Sequence, residues 1–220
     1  MSERVQLAID VVSDVVCPWC YLGKHRLEQA LAAMPEIDAE IRWRPFQLDP
    51  TIPPGGIDRG EYIRRKFGGP QALDQAHQHL RQAGSAAGID YEFERITRNP
   101  NTIDAHRLVR WASEAGVEGE MVEKLFRLYF TEGADVGDHA VLVRAAKDLG
   151  MDGDAVARDL ASDRDQAQVN ADIESAAHAG ITGVPCFIFD RRAAVMGAQT
   201  PQVLMSAIQQ ALNARAEEAV

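Results

Sequence analysis

Val5-Gln6-Leu7-Ala8-Ile9-Asp10-Val11-Val12-Ser13 is rich in Val and Ile, and Asp14-Val15-Val16-Cys17-Pro18-Trp19-Cys20 follows directly. The first segment reads as a strand ending at the polar pair Ser13-Asp14. From Trp19 to Met34, Leu22, Leu27, Ala30 and Leu31 recur at helical spacing, and Pro35 supplies the stop. A second strand is predicted over Ala39 to Leu48, where Ile41 and Trp43 alternate with Arg42 and Arg44. The unit is β-α-β, with two cysteines at the junction of its first strand and its helix.

The position of the cysteines states their chemistry. Pro18 suits the first helical position, because its missing N–H would have no helical partner there and its φ is already suitable. Cys17 then sits at the cap, where free N–H groups and the positive dipole end favour a thiolate and lower the pKa below the usual value of about 8.5. Cys20 lies one turn later on the same side, close enough for a local adjustment to close a disulfide. Cys17 is the expected attacking thiolate and Cys20 the resolving thiol of a mixed disulfide. Two other readings compete: a zinc knuckle using Cys17, Cys20, Cys186 and a histidine such as His25, and a pair of inert buried thiols. A CxxC beside a β-α-β pattern favours redox chemistry, with no metal.

Beyond Leu48 the turn-rich segment Asp49-Pro50-Thr51-Ile52-Pro53-Pro54-Gly55-Gly56 marks a boundary. Helices are predicted over Tyr62–Phe67, Gln71–Ala87, Thr102–Glu114, Gly119–Thr131, His139–Leu149, Ala155–Ala161 and Gln166–His178, without a fixed repeat. Asp90-Tyr91-Glu92-Phe93 alternates like an extended segment. Strands return at Pro185–Asp190 and Ala193–Met196, followed by a helix from Thr200 to about Ala214, capped by Thr200 with Pro201 in its first turn. The expected organisation is α/β: residues 1–48 and 180–220 form a sheet domain, and 49–179 an inserted helical domain.

The 220 residues suffice for a buried core, and 46% hydrophobic with 25% charged residues exclude a disordered or fibrous chain. Acidic residues outnumber basic ones by 33 to 23, which disfavours nucleic acid as a partner. No apolar run approaches the roughly 20 residues of a membrane span, and the amino terminus shows neither a basic n-region nor a cleavage signature. A cytoplasmic protein is expected, whose three cysteines serve chemistry rather than a disulfide framework.

Cys17-Pro18-Trp19-Cys20, the helical insertion and Gly183-Val184-Pro185 together resemble the DsbA-like branch of the thioredoxin superfamily, and its FrnE-type subgroup in particular. The likeness spans almost the whole chain and includes Asp14 to Gly23, Asn101-Thr102-Ile103-Asp104-Ala105-His106-Arg107-Leu108 and Gly197-Ala198-Gln199. The resemblance implies a thioredoxin fold with a large helical insertion, and a cis Val184–Pro185 bond that sets the Val184 backbone beside the cysteines. On sequence alone, Pro185 either opens a strand or breaks the Gly180–Gly183 loop. Pro18, Trp19, Val184, Pro185, Asn101 and His106 are the candidate substrate contacts. His106 is either an acid–base group facing the site or a packed interface histidine, while Asn101 and Thr102 also suit helix capping. Cys186 is either an auxiliary thiol or a small buried hydrophobe. Because Trp19 carries no charge, a potential less oxidising than the roughly −120 mV of DsbA is expected.

The function expected is a thiol–disulfide oxidoreductase acting on protein or small-molecule thiols and disulfides, with no tightly bound cofactor and glutathione as a candidate co-substrate. A glutathione-dependent isomerase or transferase, similar to 2-hydroxychromene-2-carboxylate isomerase and the kappa-class transferases, is the alternative. A non-catalytic chaperone is the third. A homodimer is compatible with the sequence, although no heptad seam marks an interface.

Overall fold

The protein is described here by a computed structural model covering residues 4–218. Residues 1–3, where the reading of the amino terminus begins, and 219–220 lie outside the described residues. Strand β1 (Val5–Ser13) leads into α1 (Pro18–Ala32) and then β2 (Ile37–Pro45), which pairs parallel with β1 from Val5↔Ile37 to Ser13↔Pro45. A parallel neighbour requires a crossover, and α1 is that crossover. A ribbon strand β3 (Ile57–Asp58), helix α2 (Arg59–Phe67), a 3-10 turn at Pro70–Leu73 and α3 (Asp74–Ala86) follow. After a 3-10 turn at Phe93–Arg95 come β4 (Arg98–Asn99), α4 (Ile103–Glu114), α5 (Glu118–Phe130), α6 (His139–Asp148), α7 (Gly153–Leu160) and α8 (Gln166–His178). The chain closes with β5 (Cys186–Phe189), β6 (Ala193–Met196) and α9 (Pro201–Glu218).

The main sheet has the order β2-β1-β5-β6, with β5 antiparallel to β1 and to β6. β1 is therefore central, and its two faces bury different partners, as the alternation of a strand requires. Leu7, Ile9 and Val11 pack with Phe187 and Phe189 against Leu27 and Ala30 of α1 and Leu204 and Ile208 of α9. Val12 packs with Cys186 against Ala176 of α8. The other side of α1 enters the largest apolar cluster, where Tyr21 and Leu22 meet Leu108 of α4, Phe126 and Phe130 of α5, and Leu142 of α6. The sulfur-bearing helix is thus held between sheet and helices. Gly23 makes the sheet side possible: a Cβ there would lie 2.9 Å from Pro185 Cγ and 3.0 Å from Phe187 Cζ.

Several boundaries differ from the sequence reading. β2 begins at Ile37, two residues early, because Val5 already pairs there, and it ends at Pro45 rather than Leu48. The segment at Asp90–Phe93 is not a strand: Tyr91 and Phe93 are buried because their rings stack 5.1 Å apart beside Phe130, while Glu92 N–H bonds the Phe130 carbonyl. The predicted Gln71–Ala87 helix is split between the Pro70–Leu73 turn and α3. Pro185 precedes β5 instead of opening it, and α9 continues to Glu218. The β3–β4 ribbon was not predicted. No described helix is long and apolar enough to cross a membrane.

Candidate redox site and its groove

Cys17 is the N-cap of α1, with extended backbone angles of −93° and 111°, and Pro18 stands in the first turn. Its N–H bonds the Asp14 carbonyl at 3.0 Å, and its own carbonyl accepts from Cys20 N–H at 3.0 Å, so the turn is fixed on both sides. The Cys17 Sγ lies 3.7 Å from the Val184 carbonyl oxygen, and the Val184–Pro185 peptide bond is cis. Tyr91 donates its hydroxyl to the Pro18 carbonyl at 2.6 Å, tying this turn to the helical layer.

Cys17 and Cys20 are free thiols placed to hydrogen-bond each other. Their surroundings differ. Burial pushes the Cys20 thiol well up, and the hydrogen bond and charge of Cys17 add to the effect; the Ser13 hydroxyl and the Asp14 backbone pull weakly the other way. Cys20 is therefore the thiol whose surroundings hold its proton. Cys17 borders a groove of about 330 Å³ that Pro18, Trp19 and Val184 also line, with Tyr62, Phe67, Leu73 and Leu80 as its apolar wall. Among the described residues, Phe67 and Leu48 are two of the few exposed large hydrophobic side chains, and both stand on this groove.

Cys17 and three of the six candidate contacts, Pro18, Trp19 and Val184, thus meet in one groove, and Pro185 does not line it. Asn101 and His106 do not line it. Asn101 donates to the Ile52 carbonyl at 2.7 Å and accepts from Gln47 at 3.2 Å and from Ile103 N–H at 3.1 Å, so it fastens the 47–52 loop to the start of α4. Thr102 makes no side-chain cap bond, and its hydroxyl is buried without a partner. His106 Nε2 lies 2.9 Å from the Phe46 carbonyl and 3.5 Å from Asp14 Oδ1. Cys186 sits in the Val12–Ala176 cluster, a different one from that holding Cys17 and Cys20, although Val184 packs against both, and burial pushes its thiol up. His25 is engaged by the Ala87 carbonyl and Glu123, and among the described residues no group of three or more His, Cys, Asp or Glu is placed to hold a metal.

The residue missed in the sequence is Asp14. It is 1% exposed, accepts from Leu48 N–H at 2.8 Å through Oδ2, and leaves Oδ1 without a hydrogen bond at the edge of the groove. A buried acid three residues before Cys17 could be suspected from Ser13-Asp14, but its burial depends on α4 and the 46–52 loop. A second missed feature clasps α1 from behind. Lys24 reaches Glu28 at 2.5 Å and Glu123 at 2.7 Å, and Tyr21 donates to Glu123 at 3.0 Å. Burial opposes a charge on Glu123, but hydrogen bonds from His25 and Lys24 outweigh it and hold the carboxyl at about 2.

Comparison with known proteins follows this geometry. Residues 8–209 match the sequence model of the DSBA-like thioredoxin domain. A crystal structure of a probable DsbA oxidoreductase from Streptomyces coelicolor is 34% identical, superposes with a TM-score of 0.86, and the match covers 94% of this chain and 90% of that one. A 2-hydroxychromene-2-carboxylate isomerase is 18% identical at a TM-score of 0.71, covering 96% and 98% of the two chains. The cytosolic disulfide reductase DsbM from Pseudomonas aeruginosa, solved with GSH, is 18% identical at a TM-score of 0.63, covering 97% and 100%. These last two likenesses are of fold.

Proposed function

Because the chain belongs to the DsbA-like thioredoxin domain family, we propose that it is a thiol–disulfide oxidoreductase in which Cys17 attacks and Cys20 resolves. The observation that carries this is the unequal pair: both thiols are buried, but Cys17 lines the groove at the helix start, while Cys20 does not line it and burial pushes its thiol up. Attack by the Cys17 thiolate on a substrate disulfide forms a mixed disulfide and expels one substrate thiolate, which takes up a proton. Capping Cys17 removes its charge and its hydrogen bond to Cys20, two of the three causes that push Cys20 up. Cys20 then loses its proton more readily, attacks the Cys17 sulfur and expels the second substrate thiol. Two electrons pass to the substrate, and the same steps in reverse oxidise a substrate dithiol.

Pro18, Trp19 and the Val184 backbone are the proposed substrate contacts, with Pro185 fixing Val184. Asn101 and His106 act through the fold around them, since their partners are the 46–52 loop and Asp14. The apolar wall suits a protein or small-molecule disulfide with an apolar arm. Glutathione in a cytoplasmic setting is the small thiol of choice, a reading helped by the GSH found with the similarly folded DsbM. The division into a sheet unit (1–48 and 180–220) and an inserted helical unit (49–179) belongs to the same reading, with the groove at their meeting.

Trapping tests the order of events. Cys20→Ser incubated with glutathione disulfide is expected to accumulate a stable glutathione adduct on Cys17, while the wild type releases it. An adduct that clears equally fast from both proteins removes the resolving role of Cys20. Full activity of the variant on a glutathione-dependent isomerisation substrate would favour the isomerase alternative instead.

A further inference from the structure

The resolving step has to release a proton, and the groove offers it no way out. Cys20 does not line the groove, and in a mixed disulfide the substrate carried by Cys17 fills that side. A second cavity, of about 150 Å³, opens between β2, α4, α5 and α8, and neither cysteine lines it. Ser13, at the end of β1, does line it and is only 6% exposed. The Ser13 hydroxyl stands within hydrogen-bonding reach of the Cys20 thiol. It therefore joins the buried sulfur to a space that the sulfur itself does not touch.

The cavity is suited to carrying a proton. It has room for several waters, since one needs only ~10–15 Å³, and Ser13, Arg42, Arg44, His106, Arg110 and Glu118 give it polar walls. It reaches solvent beside Arg42 and Arg44, whose side chains are 35% and 44% exposed. Glu118, from α5, accepts from Trp43 N–H at 3.3 Å through Oε1. Among the described residues its Oε2 makes no hydrogen bond, nor does the Ser13 hydroxyl to any oxygen or nitrogen, and neither atom is sealed off by protein. Burial pushes the Glu118 carboxyl above the usual carboxylate range, against the pull of the Trp43 N–H and of Arg44 and Arg42. A base raised in this way is better matched to a thiol proton than an ordinary carboxylate. His106 and Asp172 are the other titratable groups on the cavity; His106 Nε2 is held at the Phe46 carbonyl and Asp172 by Gln168 at 2.8 Å.

We propose that Ser13 and Glu118 form a proton exit for Cys20: the thiol passes its proton to Ser13 Oγ, the Ser13 hydroxyl proton moves to cavity water, and Glu118 Oε2 receives a proton from that water. The Cys20 thiolate then bonds the Cys17 sulfur, the bond from Cys17 to the substrate breaks, and the substrate leaves as a thiolate. Glu118 returns the proton to solvent through the mouth beside Arg42 and Arg44. The inference rests on the dithiol reading, and it gives Glu118, which lies outside the groove, a part in the second step only.

Reduced full-length protein mixed with glutathione disulfide, quenched with acid at intervals and read by mass spectrometry, times two events separately: formation of the Cys17 adduct and its conversion to the Cys17–Cys20 disulfide. Near neutral pH, Ser13→Ala and Glu118→Gln, which keeps an oxygen for Trp43 N–H, are each expected to slow conversion about tenfold or more. Adduct formation should stay within about twofold of wild type. Because both residues stand on one path, the double variant should be no slower than the slower single variant. Wild-type conversion should also climb with pH as Glu118 ionises, a limb that Glu118→Gln lacks. Cooperative thermal melts show which variants are folded, and either single variant decides if the other does not fold. Conversion within about twofold of wild type in a folded single variant, or equal slowing of both events, overturns the proposal and leaves the dithiol reading standing. A wild type that never converts its adduct fails the dithiol reading itself, and this proposal with it.

Discussion

Replacing Glu123 by glutamine removes the charge that clasps the redox helix α1 to α5 while leaving an oxygen for the Tyr21 hydroxyl. The carboxyl titrates at about 2 rather than 4.5. At about 1.36 kcal/mol per pH unit, that difference sets a ceiling near 3.4 kcal/mol on its contribution to stability. The side chain is 33% exposed, so solvent screening reduces the expected loss to roughly 1.5–2 kcal/mol. For a chain of this size the loss corresponds to a fall of about 3–8 °C in Tm. The pH dependence has two limbs. Glu123 is depressed, so its stabilisation is present above 4.5 and is lost as pH falls toward about 2. His25 is raised, chiefly by its hydrogen bond to Glu123, so its stabilisation is full below 6.5 and is lost as pH rises through the raised value. Wild type and Glu123→Gln should therefore differ most between about pH 5 and 6.5. Urea unfolding across pH 3 to 9 measures this, and a difference under about 0.5 kcal/mol, or one independent of pH, would refute the reasoning.

Gly23→Ala should destabilise the protein by about 1–3 kcal/mol in urea melts, because the new methyl must push aside Pro185 and Phe187. Cys186→Ala should cost about 1 kcal/mol as a small cavity yet keep Cys17–Cys20 disulfide formation intact; loss of that disulfide in a folded variant would make Cys186 a participant. Arg107 is 2% exposed and donates to the carbonyls of Asp159, Ser162 and Arg164. Arg107→Met leaves these acceptors unpaired and should cost about 3 kcal/mol or more, with proteolytic cleavage appearing first between α7 and α8.

What the sequence made legible was local. β1 is read correctly to the residue because Val and Ile alternate over a full strand length, and the helix start is set by Pro18 alone. Those elements and the returning strands near residue 190 read only as a sheet unit built from both ends of the chain with helices between; the thioredoxin fold rested on the family resemblance, and the match over residues 8–209 bears it out. Features made by distant partners were not readable. The β3–β4 ribbon pairs two residues with two others some forty positions away, too short for any periodicity. Tyr91 and Phe93 imitate a strand because both rings seek Phe130. His106 and Asn101 were drawn toward the cysteines by their motif, but their hydrogen bonds go to the irregular 46–52 loop, whose path no local pattern encodes. The same loop buries Asp14.

The central claim is that Cys17 and Cys20 form a reversible redox pair, and equilibrating the purified protein across a series of glutathione redox buffers tests it most directly, with mass spectrometry reading each cysteine. A Cys17–Cys20 disulfide that forms and reduces as a single two-electron transition, with Cys186 reduced throughout, is the predicted result. A protein whose two thiols stay reduced in the most oxidising buffer, or that only accumulates separate glutathione adducts, would contradict it.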